Sequence, residues 1–175
     1  VENAGLVFSQ MHAAFPIYVP DNEPVTEYMC MSVEKSLAVA AFFNCPALVV
    51  HPWSTRKGKE MEREVNLNLY RRFIPFARQY GVKICLENMF NVLHGNRIEG
   101  SCSTAEDACW YIEKLNEEAG EDLFGFCFDI GHATVLHRDA VQRQRAGSSI
   151  GSHVAAAAIF FFGGDATVFD GAAQQ

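Results

Sequence analysis

The chain has 175 residues, of which 49% are apolar, enough for one domain with a hydrophobic core. Its net charge is −7 and it carries no run of Lys and Arg, which argues against a protein that grips a nucleic-acid backbone. The longest apolar stretch, residues 154–162, is too short to span a bilayer, so we expect no membrane partner. The six cysteines form no C-x-x-C pair, which argues against a thiolate zinc knuckle and favours reduced thiols in a cytoplasmic protein.

The first half of the chain predicts two strands and two helices. Residues 6–12 resemble a strand that ends in His12, and a proline-rich loop follows. Residues 25–43 have apolar positions spaced by three and four, which predicts a helix. A second short strand, residues 47–50, closes on His51, and a long amphipathic helix over residues 60–80 is expected to stop at Gly81.

The middle of the chain continues the same alternation. A third strand at residues 82–86 closes on Glu87, and residues 88–100 are predicted to be a loop. Ser103 and Glu106 have the spacing of a capping box and are expected to open a helix that runs to about residue 118. The stretch G-F-C-F-D-I-G-H, residues 125–132, then predicts a fourth strand that closes on Asp129, with His132 three residues later.

The order β-α-β-α-β-α-β, with short strands that are apolar on both faces, predicts an α/β fold with a parallel sheet covered by helices. A doubly wound sheet and a (β/α)8 barrel both fit this order. In both architectures ligands bind at the carboxyl ends of the strands.

Four polar residues stand at those predicted strand ends: His12, His51, Glu87 and Asp129, with His132 shortly after the last. Because parallel strands bring these ends to one rim, the four residues are expected to converge. Nitrogen and carboxylate ligands together suit zinc, manganese, iron or cobalt. Each residue alone has an ordinary interpretation, since a histidine there can be a satisfied polar group and Asp129 can cap the next helix.

Two neighbouring features have similarly divided interpretations. Trp53, after His51 and a proline, either walls a substrate pocket or simply packs. The basic loop with Arg56, Lys57 and Lys59 either binds an anionic group or is solvated.

Three segments, V-V-H-P-W, I-C-L-E-N and F-C-F-D-I-G-H-A, occur in this order with helices between them. The chain thereby resembles the sugar phosphate isomerase/epimerase group of the xylose isomerase-like TIM barrel superfamily, over about residues 5–140. The resemblance implies a (β/α)8 barrel with a divalent metal (Mn, Mg, Co or Zn) at its rim. It also implies that the nearest relatives include apurinic-site endonucleases that use zinc.

The resemblance assigns roles to the strand-end residues. Glu87 would be a metal ligand and the catalytic acid/base, and Asp129 a second metal ligand. His132 would contact substrate in the epimerases or a metal in the nucleases. His51, and more loosely His12, would line the substrate pocket in the isomerases or bind zinc in the nucleases.

The chain departs from the family pattern after residue 140. The expected arginine-containing strand, His-x-His-Asp segment and late glutamate do not appear, and residues 141–175 shift to Ala, Gly, Gln and Phe. We therefore expect a partial barrel of about four β/α units at residues 1–140, followed by an atypical tail at 141–175 that is truncated or frameshifted. A chain that starts without Met and covers half a barrel is expected to be a piece of a larger enzyme, or to need a partner such as a second copy.

The function expected from the sequence is a metal-dependent isomerase or epimerase of a small sugar or polyol, working by proton transfer through an enediolate. One alternative is a zinc phosphodiesterase that acts on abasic DNA. The acidic net charge of the chain argues against this alternative. The other is a catalytically inactive barrel fragment. Which sugar and which metal the chain would use are left open by the sequence.

Overall fold

The structure, a computed structural model, describes residues 4–136, so the predicted tail at 141–175 lies outside the described residues. The elements in chain order are β1 Met11–His12, α1 Glu23–Phe42, β2 Ala47–Val50, α2 Lys59–Tyr80, β3 Lys83–Glu87, β4 Phe90–Leu93, β5 Asn96–Glu99, α3 Ala105–Ala119, β6 Phe124–Cys127 and α4 Ile130–Val135. The predicted alternation of strands and helices is confirmed.

The main sheet is parallel and has the order β1-β2-β3-β6. Strand residues alternate between its two faces. On one face, residues such as Leu48, Ile84 and Phe124 join the buried side chains of α1, α2 and α3 in a single core. On the other face, Ala47, Val49, Cys85 and Cys127 form a separate cluster made only of strand residues. Within residues 4–136 the helices cover a single face of this sheet, which is the arrangement of a barrel wall rather than of a doubly wound sheet.

Capping residues explain several of the helix ends. The side chain of Asn22 accepts a hydrogen bond from the amide of Val25 at the start of α1. α2 stops at Gly81, which is left-handed at φ 63° as expected. The capping box predicted at Ser103 is wrong by one position, because Thr104 is the N-cap and its hydroxyl accepts from the amide of Asp107.

The segment 88–100, predicted to be a loop, contains the antiparallel hairpin β4–β5. Its two-residue turn, His94-Gly95, has φ of 48° and 80°. Positive φ at both central residues is the requirement of a type I′ turn. The usual sequence signal for such a turn is Asn-Gly or Asp-Gly. Here His94 occupies the first of the two positions, so the sequence did not predict the turn.

β1 is also shorter than the predicted strand at residues 6–12. Met11 lies opposite Leu48, so residues 6–9 extend beyond the start of β2 at Ala47 and have no partner there. In the described sheet β1 pairs only with β2, so residues before the start of β2 have no strand beside them. Val7, in this segment, is 88% exposed. No helix within residues 4–136 is long and apolar enough to cross a bilayer.

Candidate metal centre

The carboxyl ends of the four parallel strands bring the predicted site residues together. His12 ends β1, His51 directly follows β2 and Glu87 ends β3. Asp129 stands two residues after β6, and His132 lies in the first turn of α4. One ligand atom from each of His12, His51 and Glu87 lies within 4.8 Å of the others, and the same holds for Glu87, Asp129 and His132. Glu87 belongs to both groups and is the centre of the cluster.

The Glu87 carboxylate is surrounded by imidazoles. Its Oε2 lies 3.1 Å from Nε2 of His12 and 3.0 Å from Nε2 of His51. Its Oε1 lies 3.2 Å from Nδ1 of His132. The side chain is only 3% exposed, so it is an acid held in a nearly dry position by nitrogen donors.

The electrostatics of this cluster favour the ionised carboxylate. Burial of Glu87 opposes ionisation, but the hydrogen bonds from His12 and His51 and the charges of the histidines outweigh it and lower the pKa from 4.5 to about 2. The hydrogen bond to Glu87 raises the pKa of His12 above its usual 6.5 against the effect of burial. Nδ1 of His12 lies 2.7 Å from the carbonyl oxygen of Ala13, so the ring is held from its far side as well.

Asp129 performs the helix-capping role that was the ordinary interpretation of its position. Its Oδ1 accepts a hydrogen bond of 2.7 Å from the amide of His132, and its side chain is buried. A β-carbon at Gly131 would lie 3.0 Å from that oxygen, so the glycine leaves room for the carboxylate. Capping uses one lone pair of one carboxylate oxygen, which leaves the group able to hold an ion near Glu87 as well.

His132 is oriented by the main chain. Its Nδ1 lies 2.8 Å from the carbonyl oxygen of Asn88, and this carbonyl can only accept, so Nδ1 carries a proton. In the neutral ring Nε2 is then the unprotonated nitrogen, the form that can take a ligand or a substrate hydroxyl.

Trp53 lies beside the cluster rather than in it. Its ring packs edge-on against Tyr18 with centroids 4.9 Å apart. Both rings line a cavity of about 150 Å³ that also reaches His51. Phe15 lies in the same wall, stacked on His51 at 4.3 Å with 29° between the ring planes. The predicted pocket-wall position of Trp53 is therefore next to a candidate ligand.

The basic loop divides into two kinds of residue. Lys59 is 2.9 Å from a carboxylate oxygen of Glu62 and 2.5 Å from one of Asp107, both buried acids. Its charge is already matched, so it is a structural cation rather than an anion site. Arg56 and Lys57 line a groove beside the β4–β5 hairpin, and Arg56 also lines the cavity that Lys59 borders.

Two residues of the site carried no predicted role. Asn88 directly follows Glu87 in the motif I-C-L-E-N, and this position next to a strand-end acid is the one feature of the sequence that could have marked it as a site residue. Phe15 had no signal, because a residue in a proline-rich loop shows its stacking on His51 only once the loop is folded.

The donor set fits a divalent ion. Carboxylate oxygens and imidazole nitrogens on a common rim are ligands that zinc, manganese and magnesium accept to different degrees. Without an ion, the buried carboxylate of Glu87 would have no positively charged neighbour whenever its three histidine neighbours are neutral.

Comparisons with solved structures show related folds. A D-tagatose 3-epimerase-like protein is 23% identical with a TM-score of 0.68, over 87% of this chain and 56% of that one. The 3-keto-D-glucoside 4-epimerase YcjR from E. coli is 16% identical with a TM-score of 0.63, over 87% and 59%. A Mycobacterium smegmatis protein solved in complex with magnesium is 16% identical with a TM-score of 0.58, over 85% and 49%.

The chain thus spans between about half and three-fifths of the length of these structures. A comparison with curated proteins gives no significant match. The sequence profile of one family, described as xylose isomerase-like TIM barrel, matches residues 1–163. On this match the chain belongs to the xylose isomerase-like TIM barrel family.

Proposed function

We propose that the protein is a metal-dependent isomerase or epimerase of a small sugar or sugar-like polyol, located in the cytoplasm. The observation that carries the proposal is the buried Glu87 carboxylate, held within 3.2 Å of three imidazoles and close to Asp129 at the carboxyl edge of a parallel sheet. Parallel β/α folds place their chemistry at this edge. The sugar epimerases among the related structures support the same reaction class.

Glu87 and Asp129 would hold the metal. A divalent ion held there would supply Lewis-acid chemistry for the removal of a proton from a carbon next to a substrate oxygen. His12, His51 and His132 would orient substrate hydroxyls. Trp53 and Phe15 would form the aromatic wall against which the carbon skeleton of the sugar packs.

Glu87 would also carry the proton. Its low pKa keeps it ionised throughout the physiological range, so it is always able to accept one. The same low pKa makes Glu87 a weak base. Proton transfer would therefore depend on placing Glu87 next to a substrate C–H that the metal has made more acidic, rather than on the basicity of Glu87. The second acid/base, on the opposite side of the carbon, is assigned by the resemblance to a late glutamate, outside the segments that this chain matches.

A zinc phosphodiesterase is the second candidate, because His12, His51 and Glu87 form a nitrogen-rich group beside the group with Asp129. Two adjacent groups can hold two ions, and paired ions suit phosphoryl chemistry. The net charge of −7 opposes an approach to DNA. Metal stoichiometry separates the two: one ion per chain supports the isomerase, and two or more support the phosphodiesterase.

The test is isotope exchange. The purified chain, loaded with Mn²⁺ in deuterated water, is incubated with D-tagatose or with a 3-keto-D-glucoside, and deuterium in the recovered sugar is measured by NMR. Uptake that is lost in Glu87→Gln and kept in Glu117→Gln, a matched change at an exposed pair with Lys114, supports the proposal. A chain that binds metal and yet exchanges no deuterium with either sugar contradicts it and favours the inactive fragment.

A further inference from the structure

We infer that Asn88 is a positioning residue that holds the backbone of Asp129, and with it His132, in the arrangement that metal binding by Glu87 and Asp129 needs. The inference rests on the proposed metal site. It assigns to Asn88 a role that neither its position next to Glu87 nor its residue type reveals by itself.

The side chain of Asn88 makes two hydrogen bonds to a single residue across the sheet. Its Oδ1 accepts from the amide of Asp129 at 2.6 Å, and its Nδ2 donates to the carbonyl of Asp129 at 2.9 Å. Asn88 is 1% exposed, so these bonds form away from water. A buried amide whose donor and acceptor both bond the main chain of one residue is a strong local constraint, because losing it would leave polar groups unsatisfied.

The position of these bonds explains why they are needed. The ladder between β3 and β6 ends at the pair Glu87 and Cys127. Asp129 lies two residues farther along, where the sheet no longer fixes the chain. The side chain of Asn88 takes the place of a strand partner at this point and holds the main chain of Asp129 beyond the end of the ladder.

The constraint reaches every candidate ligand on this side of the site. Asn88 is bonded covalently to Glu87, and its side chain fixes Asp129. Its own carbonyl lies 2.8 Å from Nδ1 of His132. Oδ1 of Asp129 in turn accepts from the amide of His132. One residue therefore links Glu87, Asp129 and His132, whose candidate ligand atoms lie within 4.8 Å of one another.

The chain offers a matched control at the other end of β6. The side chain of Asn116 makes the same kind of clamp, accepting from the amides of Leu123 and Phe124 at 3.0 and 2.8 Å and donating to the carbonyl of Phe124 at 3.0 Å. It holds the same strand by the same chemistry. It acts at the start of the strand, away from the carboxyl edge.

The experiment compares Asn88→Ala with Asn116→Ala in the 175-residue chain. Both substitutions remove an amide clamp, so both should lower the midpoint of urea unfolding. Removal of a residue that orients metal ligands typically weakens metal affinity about 10- to 100-fold. Titration calorimetry with Mn²⁺ and with Zn²⁺ should show this loss for Asn88→Ala and a dissociation constant within about twofold of wild type for Asn116→Ala. Equal weakening in both variants, or none in Asn88→Ala, overturns the inference.

Hydrogen exchange of the wild-type chain gives an answer even where Asn88→Ala fails to fold. The amide of Asp129 should exchange slowly in the metal-free protein, because Asn88 accepts its hydrogen bond beyond the end of the sheet. Rapid exchange of that amide, with the neighbouring β6 amides protected, overturns the inference. A wild-type chain that binds neither ion contradicts the proposed function instead, and exchange at Asp129 then still decides whether Asn88 acts as a clamp.

Discussion

Replacing Glu87 with Gln tests the electrostatic arrangement of the site directly, without a substrate. The change keeps the shape of the side chain and removes its charge. In the metal-free protein it leaves His12, His51 and His132 facing a neutral amide, and it removes the carboxylate shared by both candidate metal groups.

The structure sets the expected size of the effect. A carboxyl whose pKa is about 2 in the folded protein, against 4.5 without its surroundings, gains roughly 3 kcal/mol from being ionised. Because the folded pKa is lowered, this stabilisation is present above pH 4.5 and is lost as the pH falls towards 2. His12 has a raised pKa, so its share is present below pH 6.5 and is lost as the pH rises through its folded pKa. Both contributions are present near pH 5.5.

The assay is urea unfolding of wild type and Glu87→Gln at pH 5.5 in the presence of a chelator, repeated with Mn²⁺ near pH 7.5. We expect the variant to lose about 3 kcal/mol of unfolding free energy at pH 5.5, and less once the pH has risen through the raised pKa of His12. It should also lose the stabilisation by metal, since an ion that binds only the folded state raises its stability by mass action. A loss below about 1 kcal/mol at pH 5.5, or an unchanged response to metal, would refute the reasoning.

Three further outcomes follow from the structure. Metal affinity should rise with pH up to the raised pKa of His12 and then level off, because a protonated His12 beside Glu87 repels a divalent cation; calorimetry at several pH values checks this, and a pH-independent affinity contradicts it. Tyr70→Phe removes the buried hydrogen bond of 2.9 Å from its hydroxyl to the carbonyl of Val50 and should cost about 1–2 kcal/mol in urea unfolding, whereas Tyr28→Phe, at a residue 71% exposed, should cost almost nothing. Gly100→Ala puts a methyl group 2.7 Å from a serine hydroxyl in the loop after β2 and 3.0 Å from backbone, and should destabilise the protein by about 1–3 kcal/mol; an unfolding midpoint equal to wild type would show that the loop yields.

The sequence by itself determined the order of elements and the rim residues. Short apolar strands alternating with amphipathic helices leave few arrangements other than a parallel sheet, and parallel strands place their ends at one edge. Positions such as His51, Glu87 and Asp129 could therefore be grouped without coordinates. Gly81 was predictable as a helix stop for an equally local reason, since only glycine takes a left-handed backbone at no cost.

Only the tertiary structure decided how those residues meet. The contact of 3.0 Å between His51 and Glu87 joins different strands, and the bonds from Asn88 to Asp129 cross between β3 and β6 beyond the end of their ladder. Sequence spacing carries no distance between side chains on different strands, and the register that sets it comes from packing of the whole sheet. The pKa of Glu87 depends on burial and on histidines brought from three other segments, so the chemistry of this carboxylate exists only in the folded chain.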